Sequence, residues 1–167
     1  MAAPSPAGLP LHALAREIAA RRLWAVDRVE DCLARIERVE RGLPAFAEVC
    51  AADKRLAAEA ADRAIRSGHA VGPLHGIPVA LKDLVEIEGR VAAGGSAVWK
   101  GRRSERTATL ARRLISAGMV VVGKTHTVEF AYGGWGTNQH LGTPRNPWDA
   151  AEARTPGGSS SGPGVAV

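Results

Sequence analysis

Two short apolar runs, Ile77-Pro-Val-Ala-Leu81 and Met119-Val-Val-Val122, flank an amphipathic stretch, Thr107 to Ala117, with Leu110, Leu114 and Ile115 on one side. Each run reads as a strand, and Pro78, which cannot donate to a ladder, belongs near the start of the first. The stretch between them reads as a helix closed by Gly118. Strand, helix and strand in this order imply a right-handed crossover and a parallel pair, which places the chain in the α/β class.

Upstream of Gly72 the pattern is helical. Leu11, Leu14, Ala15 and Ile18 recur at i, i+3, i+4 and i+7, and Val26, Val29, Leu33 and Ile36 resume the period after a break near Leu23 to Ala25. A connection containing Gly42 and Pro44 leads to an Ala-rich helix, Ala51 to Arg66, with Gly68 as its C-cap. Downstream, a Gly-rich loop spans Gly89 to Gly95, and Gly133 to Gly164 is loop-rich, with neither an internal repeat nor an interdomain linker.

Composition narrows the function. Of 167 residues 46% are apolar, which excludes disorder, and no apolar run approaches the roughly 18 to 20 residues of a membrane helix. The formal charge is 22 − 17 = +5, but bases alternate with acids, as in Arg35-Ile36-Glu37-Arg38-Val39-Glu40-Arg41, so they read as solvated helix faces and not as a nucleic-acid surface. Cys32 and Cys50 form no Cys-x-x-Cys or Cys/His cluster, which gives no support to a disulfide framework or zinc site. Met1 to Pro10 carries no Lys or Arg, unlike a secretory signal. The expected setting is the cytoplasm, without membrane or direct nucleic-acid contact.

One motif misleads. Gly118-Met-Val-Val-Val-Gly123-Lys124-Thr125 fits the phosphate-loop pattern, yet such a loop follows a strand, and here the residues between the glycines are themselves a strand. Valines stiff at χ1 cannot curl into a phosphate nest.

Two elements carry chemistry. Lys82 ends an apolar run in a chain with only four lysines, Lys54, Lys82, Lys100 and Lys124. It is either a strand-end lysine that snorkels to solvent or pairs with adjacent Asp83, or an amine whose burial favours the neutral, basic form. The run Thr155-Pro-Gly-Gly-Ser159-Ser160-Ser161-Gly162 is either a flexible linker or a loop whose glycines allow close backbone approach and whose serines relay protons. Pro163 with Val165-Ala-Val167 reads as the first turn of a helix, Pro at its first position.

Together, Gly72-Pro-Leu-His-Gly-Ile-Pro-Val-Ala-Leu-Lys82-Asp and Pro156-Gly-Gly-Ser-Ser-Ser-Gly162 closely resemble the amidase signature family. The resemblance extends through Ala92-Ala-Gly-Gly-Ser96, Ala117 to Thr125, Glu129-Phe130-Ala131 and Gly142 to Asp149, in the same order. It implies N-terminal helices followed by the first strands of a mixed, helix-covered sheet, incomplete here. It also implies a single amidase domain, of which 1–70 is a helical lead-in and 71–167 the start of the α/β catalytic core.

The chemistry implied is a Ser–cis-Ser–Lys amidase that forms an acyl-enzyme and needs neither metal nor cofactor. Lys82 matches the neutral base and Ser159 the relay serine, whose preceding peptide bond is cis. Ser160 is a supporting contributor to the relay, and Ala131, Tyr132 and Trp135 fall where the family lines its substrate pocket. The family's nucleophile stands roughly two dozen residues beyond the relay serine in a Gly-rich loop that also supplies the oxyanion hole. The sequence stops eight residues after Ser159, so nucleophile and oxyanion donors are absent and no turnover is expected of it. The parent activity expected is cleavage of a small-molecule carboxamide to carboxylate and ammonia. The alternatives are the amidotransferase-type reading, in which the chain comes from the glutamine-hydrolysing component of a tRNA amidotransferase and has partner subunits, and a catalytically dead remnant or interaction module. A homodimer is a further option.

Overall fold

In the computed structural model the described residues are 9–49, 51–68, 71–149 and 151–167. Helices α1 (Leu11–Ala19) and α2 (Ala25–Glu40) lead to strand β1 (Phe46–Val49) and helix α3 (Ala51–Arg66). Strand β2 (Pro78–Lys82), helix α4 (Thr109–Ser116), strand β3 (Val120–Thr125) and helix α5 (Ser161–Ala166) follow, with a 3-10 turn at Glu129–Ala131. The sheet order is β1-β3-β2, and β1 runs antiparallel to β3. Along β2 and β3 the hydrogen bonds advance together, Val120 N to Ile77 O and Asp83 N to Thr125 O, so this pair is parallel and the sheet is mixed.

The chain divides into two compact units, interleaved in sequence. One takes Met1–Ile36, Cys50–Val79 and Arg113–Val122; the other takes Glu37–Val49, Ala80–Arg112 and Gly123–Val167.

The core of the first unit is Ile18, Ile65 and Ile77, against which Leu14, Leu23, Trp24, Leu74 and Met119 pack. The helical period of α1 and α3 delivers the first two, and the strand entry delivers the third. Asp62 on α3 is 2% exposed and accepts hydrogen bonds from Ala25 N (2.8 Å) and Val26 N (3.2 Å). A side chain 36 residues away thus satisfies first-turn amides of α2 and sets its negative charge at the positive end of that helix. After α4, Gly118 adopts φ +86°, and a Cβ there would stand 2.3 Å from His75 Nδ1, so both conformation and space demand glycine. His75 Nε2–H donates to Ala61 O at 3.0 Å.

In the second unit, β1 lies where the sequence suggests only a connection. Its four residues alternate between half-buried and exposed, too short a run to signal a strand. Glu40, the last residue of α2, sets its start by accepting from Ala45 N and, at 3.1 Å, from Phe46 N. Gly123 lets β1 close on β3, because a Cβ there would meet Glu48 O at 2.5 Å. The C-terminal helix also differs from expectation: it begins at Ser161, with Pro163 third in the first turn, where a missing N–H is equally harmless.

Cys32 is free and half-buried, its thiol pKa raised by burial, and Cys50 lies outside the described residues. Among the described residues no helix is long and apolar enough to cross a membrane.

Asp62→Ala leaves two first-turn amides without their acceptor and is expected to cost about 2 kcal/mol. The urea midpoint of purified protein checks this; an unchanged midpoint would mean that the cap contributes nothing.

Candidate functional site

Successive residues of a strand point to opposite faces, so the end of β2 sends Lys82 one way and Asp83 the other. Asp83 is 3% exposed, and its carboxylate accepts from Lys124 Nζ at 2.9 Å and from Ala93 N at 3.2 Å. Pairing between Lys82 and Asp83 is therefore not what the structure holds. Lys82 is half-buried and its Nζ donates to Ser159 Oγ at 2.7 Å. Among the described residues no carboxylate forms an ion pair with it. Burial, which penalises the charged amine, lowers its pKa below the ordinary lysine value.

Ser159 reaches Lys82 because its backbone is anchored just beyond β3. Its carbonyl accepts from Val128 N at 3.0 Å and Thr127 Oγ1 at 3.1 Å, and the Gly158–Ser159 peptide is cis. The Gly/Ser run is threaded through backbone on both sides. A Cβ on Gly158 would lie 2.6 Å from Gly136 N, one on Gly136 2.2 Å from Gly157 O, and one on Gly162 2.3 Å from Ala45 O. Thr155 Oγ1 adds a hydrogen bond to Trp135 O, and Gly162 N donates to His126 O at 3.0 Å. Such contacts exclude the linker reading.

The other expected residues are dispersed. Ser160 is exposed at the entry to α5, and its hydroxyl bonds to neither Lys82 nor Ser159. Ser161 is fully buried and its Oγ has no hydrogen-bond partner. Ala131 is half-buried with φ +58°, while Tyr132 and Trp135 are 93% and 72% exposed. An open cavity of about 590 Å³ is bordered by Tyr132, Phe130, Asn138 and His140, but not by Ala131, Trp135, Lys82 or Ser159. Among the described residues no group of three His, Cys, Asp or Glu is placed to hold a metal ion.

Sequence reasoning missed Asn138, which is 4% exposed. Its amide nitrogen donates to Gly95 O at 2.7 Å and Thr127 O at 3.0 Å, and its oxygen accepts from His140 N and Leu141 N at 3.0 and 2.9 Å. All four hydrogen bonds of the amide are made, tying three loops beside Ser159's anchor. No local pattern marks it, since its partners are distant in sequence.

Residues 27–167 match the family described as Amidase. The chain is 42% identical over 161 residues to 2-amino-5-chloromuconic acid deaminase of Comamonas testosteroni, covering 96% of this chain and 35% of that protein. It is 40% identical over 159 residues to the A-type subunit of the glutamyl-tRNA(Gln) amidotransferase of Chloroflexus aurantiacus, covering 95% and 32%. The solved native peptide amidase of Stenotrophomonas maltophilia superposes with a TM-score of 0.86 at 35% identity, over 96% of this chain and 34% of that one. The chain thus spans about a third of the length of the relatives it matches. With a family match over most of its residues and the fold of a solved amidase, the chain belongs to the amidase signature family of hydrolases.

Proposed function

We propose that Lys82 and Ser159 are the base and relay of an amidase that cleaves a carboxamide to carboxylate and ammonia. The 2.7 Å hydrogen bond between Lys82 Nζ and Ser159 Oγ carries this reading, because it joins an amine biased toward neutrality to a hydroxyl that can both give and take a proton. The neutral amine takes the Ser159 proton as Ser159 takes one from a nucleophilic serine. That serine bonds to the amide carbon, and the relay returns a proton to the departing nitrogen, which leaves as ammonia. Water then resolves the acyl-enzyme by the same relay run again. No cofactor is needed for any of these steps.

The nucleophile belongs to neither neighbour in this reading. Ser161 is buried away from any substrate, and Ser160 lies outside the Lys82–Ser159 hydrogen bond. In this reading the residues are part of one amidase domain, with 1–70 as a helical lead-in and 71–167 as the start of the catalytic core. The 167 residues alone are expected to release no ammonia from glutamine, aliphatic amides or aryl amides. A longer form, carrying a Gly-Gly-Ser loop roughly two dozen residues beyond Ser159, is expected to do so and to lose at least about a hundredfold in kcat on Ser159→Ala or Lys82→Ala. Turnover by the 167 residues that disappears on Ser159→Ala would overturn the assignment of the nucleophile.

The amidotransferase relatives support a second form of the reading, in which glutamine is the amide and protein subunits are the partners. Preference for glutamine over aliphatic and aryl amides in the longer form selects it; the reverse preference selects a stand-alone amidase, as a monomer or homodimer. Cytoplasmic work fits either form and the free Cys32 thiol.

The lowered Lys82 pKa has a definite sign. Between the folded value and the ordinary lysine value of about 10.4 the unfolded chain binds more protons, so stability from this group rises with pH across that window and is lost as pH falls through the folded value. Titration of the lysine ε-carbons by NMR is expected to give Lys82 a midpoint below the ordinary value; a midpoint at or above it would end the reading of Lys82 as a base.

A further inference from the structure

A carboxylate close to Lys82 would hold its amine in the charged form, and the next residue in the chain is an aspartate. Asp83 is restrained on all sides. Its Oδ1 accepts from Lys124 Nζ at 2.9 Å, its Oδ2 from Ala93 N at 3.2 Å, its backbone N donates to Thr125 O at 3.0 Å, and its carbonyl accepts from Gly94 N at 3.1 Å. Lys124, 2% exposed, gives a second hydrogen bond to Val91 O at 3.1 Å. Neither the proton relay nor the spurious phosphate-loop match explains why a lysine should be buried in the central strand at this point.

We propose that Lys124 is a positioning residue for Lys82: by binding Asp83 on the opposite face of β2, it withholds that carboxylate from the protonated Lys82 amine. The inference rests on the reading of Lys82 as the base. Asp83 and Lys124 form an ion pair at 2.9 Å, so their opposite charges offset one another at Lys82, and burial lowers the pKa of its amine. The other charged groups around the pair do not substitute for it. Glu48, opposite Lys124 in the β1 register, is bound to Arg90 Nη1 at 2.8 Å. His126, Lys100 and His140 border, with Glu48 and Asp83, an open cavity of about 370 Å³. Burial lowers the His126 pKa, which favours a neutral ring, although Glu40 and Asp83 pull the other way.

The charge logic predicts a set of shifts with different signs, and a chain with four lysines makes them readable by NMR of ε-13C-labelled lysine, with Lys82 assigned through Lys82→Arg. In Lys124→Met the Lys82 midpoint is expected to rise by about one unit, the scale of a single charge in an effective dielectric of about 20. In Asp83→Asn, which keeps an oxygen acceptor for Lys124, it is expected to fall, because Lys124 is then unopposed. In the double variant it is expected to return to within a few tenths of a unit of the wild-type value, since net charge is restored. Folded variants that leave the midpoint in place overturn the role of Lys124; where Lys124→Met does not fold, the direction of the Asp83→Asn shift decides. Unfolding exposes Lys82 and returns its midpoint to the ordinary lysine value, so only variants shown to be folded by circular dichroism are compared, and the fall in Asp83→Asn, opposite in sign to unfolding, separates positioning from structural damage. A wild-type midpoint at the ordinary lysine value would refute the base itself, whereas a low wild-type midpoint unmoved by any variant refutes only the inference about Lys124.

Discussion

The continuation of β3 past Thr125 is the constraint on which the site depends. Over four residues it meets both of the segments that form the Lys82–Ser159 pair: Thr125 O takes Asp83 N at the end of β2, and Val128 N and Thr127 Oγ1 hold the Ser159 carbonyl. Between them His126 N binds Ala45 O and His126 O takes Gly162 N. Lys82 and Ser159 are 77 residues apart in sequence, and they meet because both hang from this one stretch. A central strand is suited to the task, since its neighbours on either side restrain it and its far end inherits that rigidity.

Close backbone approach is what the glycines around the site supply. Where Gly136 crosses Gly157 and Gly158, any side chain would need to occupy space filled by peptide atoms, and Gly162 is equally confined by Ala45 and His126. The serines of the same run consequently meet different surroundings within three residues. Ser159 faces Lys82, Ser160 faces solvent, and Ser161 is enclosed without a partner. In the proposed relay only the first of these can exchange a proton with the base, so backbone threading and not hydroxyl chemistry separates their roles.

The helical period made much of the fold legible. The Ala-rich helix occupies the residues read from its propensity, and the two apolar runs are the parallel strands with a helix between them. What the sequence hid is what depends on distant contacts. Four residues of β1 carry no period of their own and become a strand only because β3 offers an edge. Asn138 and Asp62 act through partners in other segments, for which no local spacing exists. The Lys82–Ser159 pair could be anticipated only through the family resemblance of two motifs. The partner of Asp83 turned out to be 41 residues away on β3, and not the lysine beside it.

That choice of partner is not explained by stability. Taking a lysine and an aspartate out of water costs several kcal/mol per ion, and apolar replacements of buried pairs are often neutral or stabilising. Just past the end of β2, however, an apolar residue at 83 would give Ala93 N no side-chain acceptor, and an aspartate without Lys124 would be an uncompensated charge beside a lysine that the proposed relay needs neutral. Pleating separates the two faces of the strand, and Lys124 makes that separation electrostatic as well as geometric. The carboxylate can then pin the Val91–Gly94 loop through Ala93 N and Lys124 while the amine one residue earlier remains available to a hydroxyl.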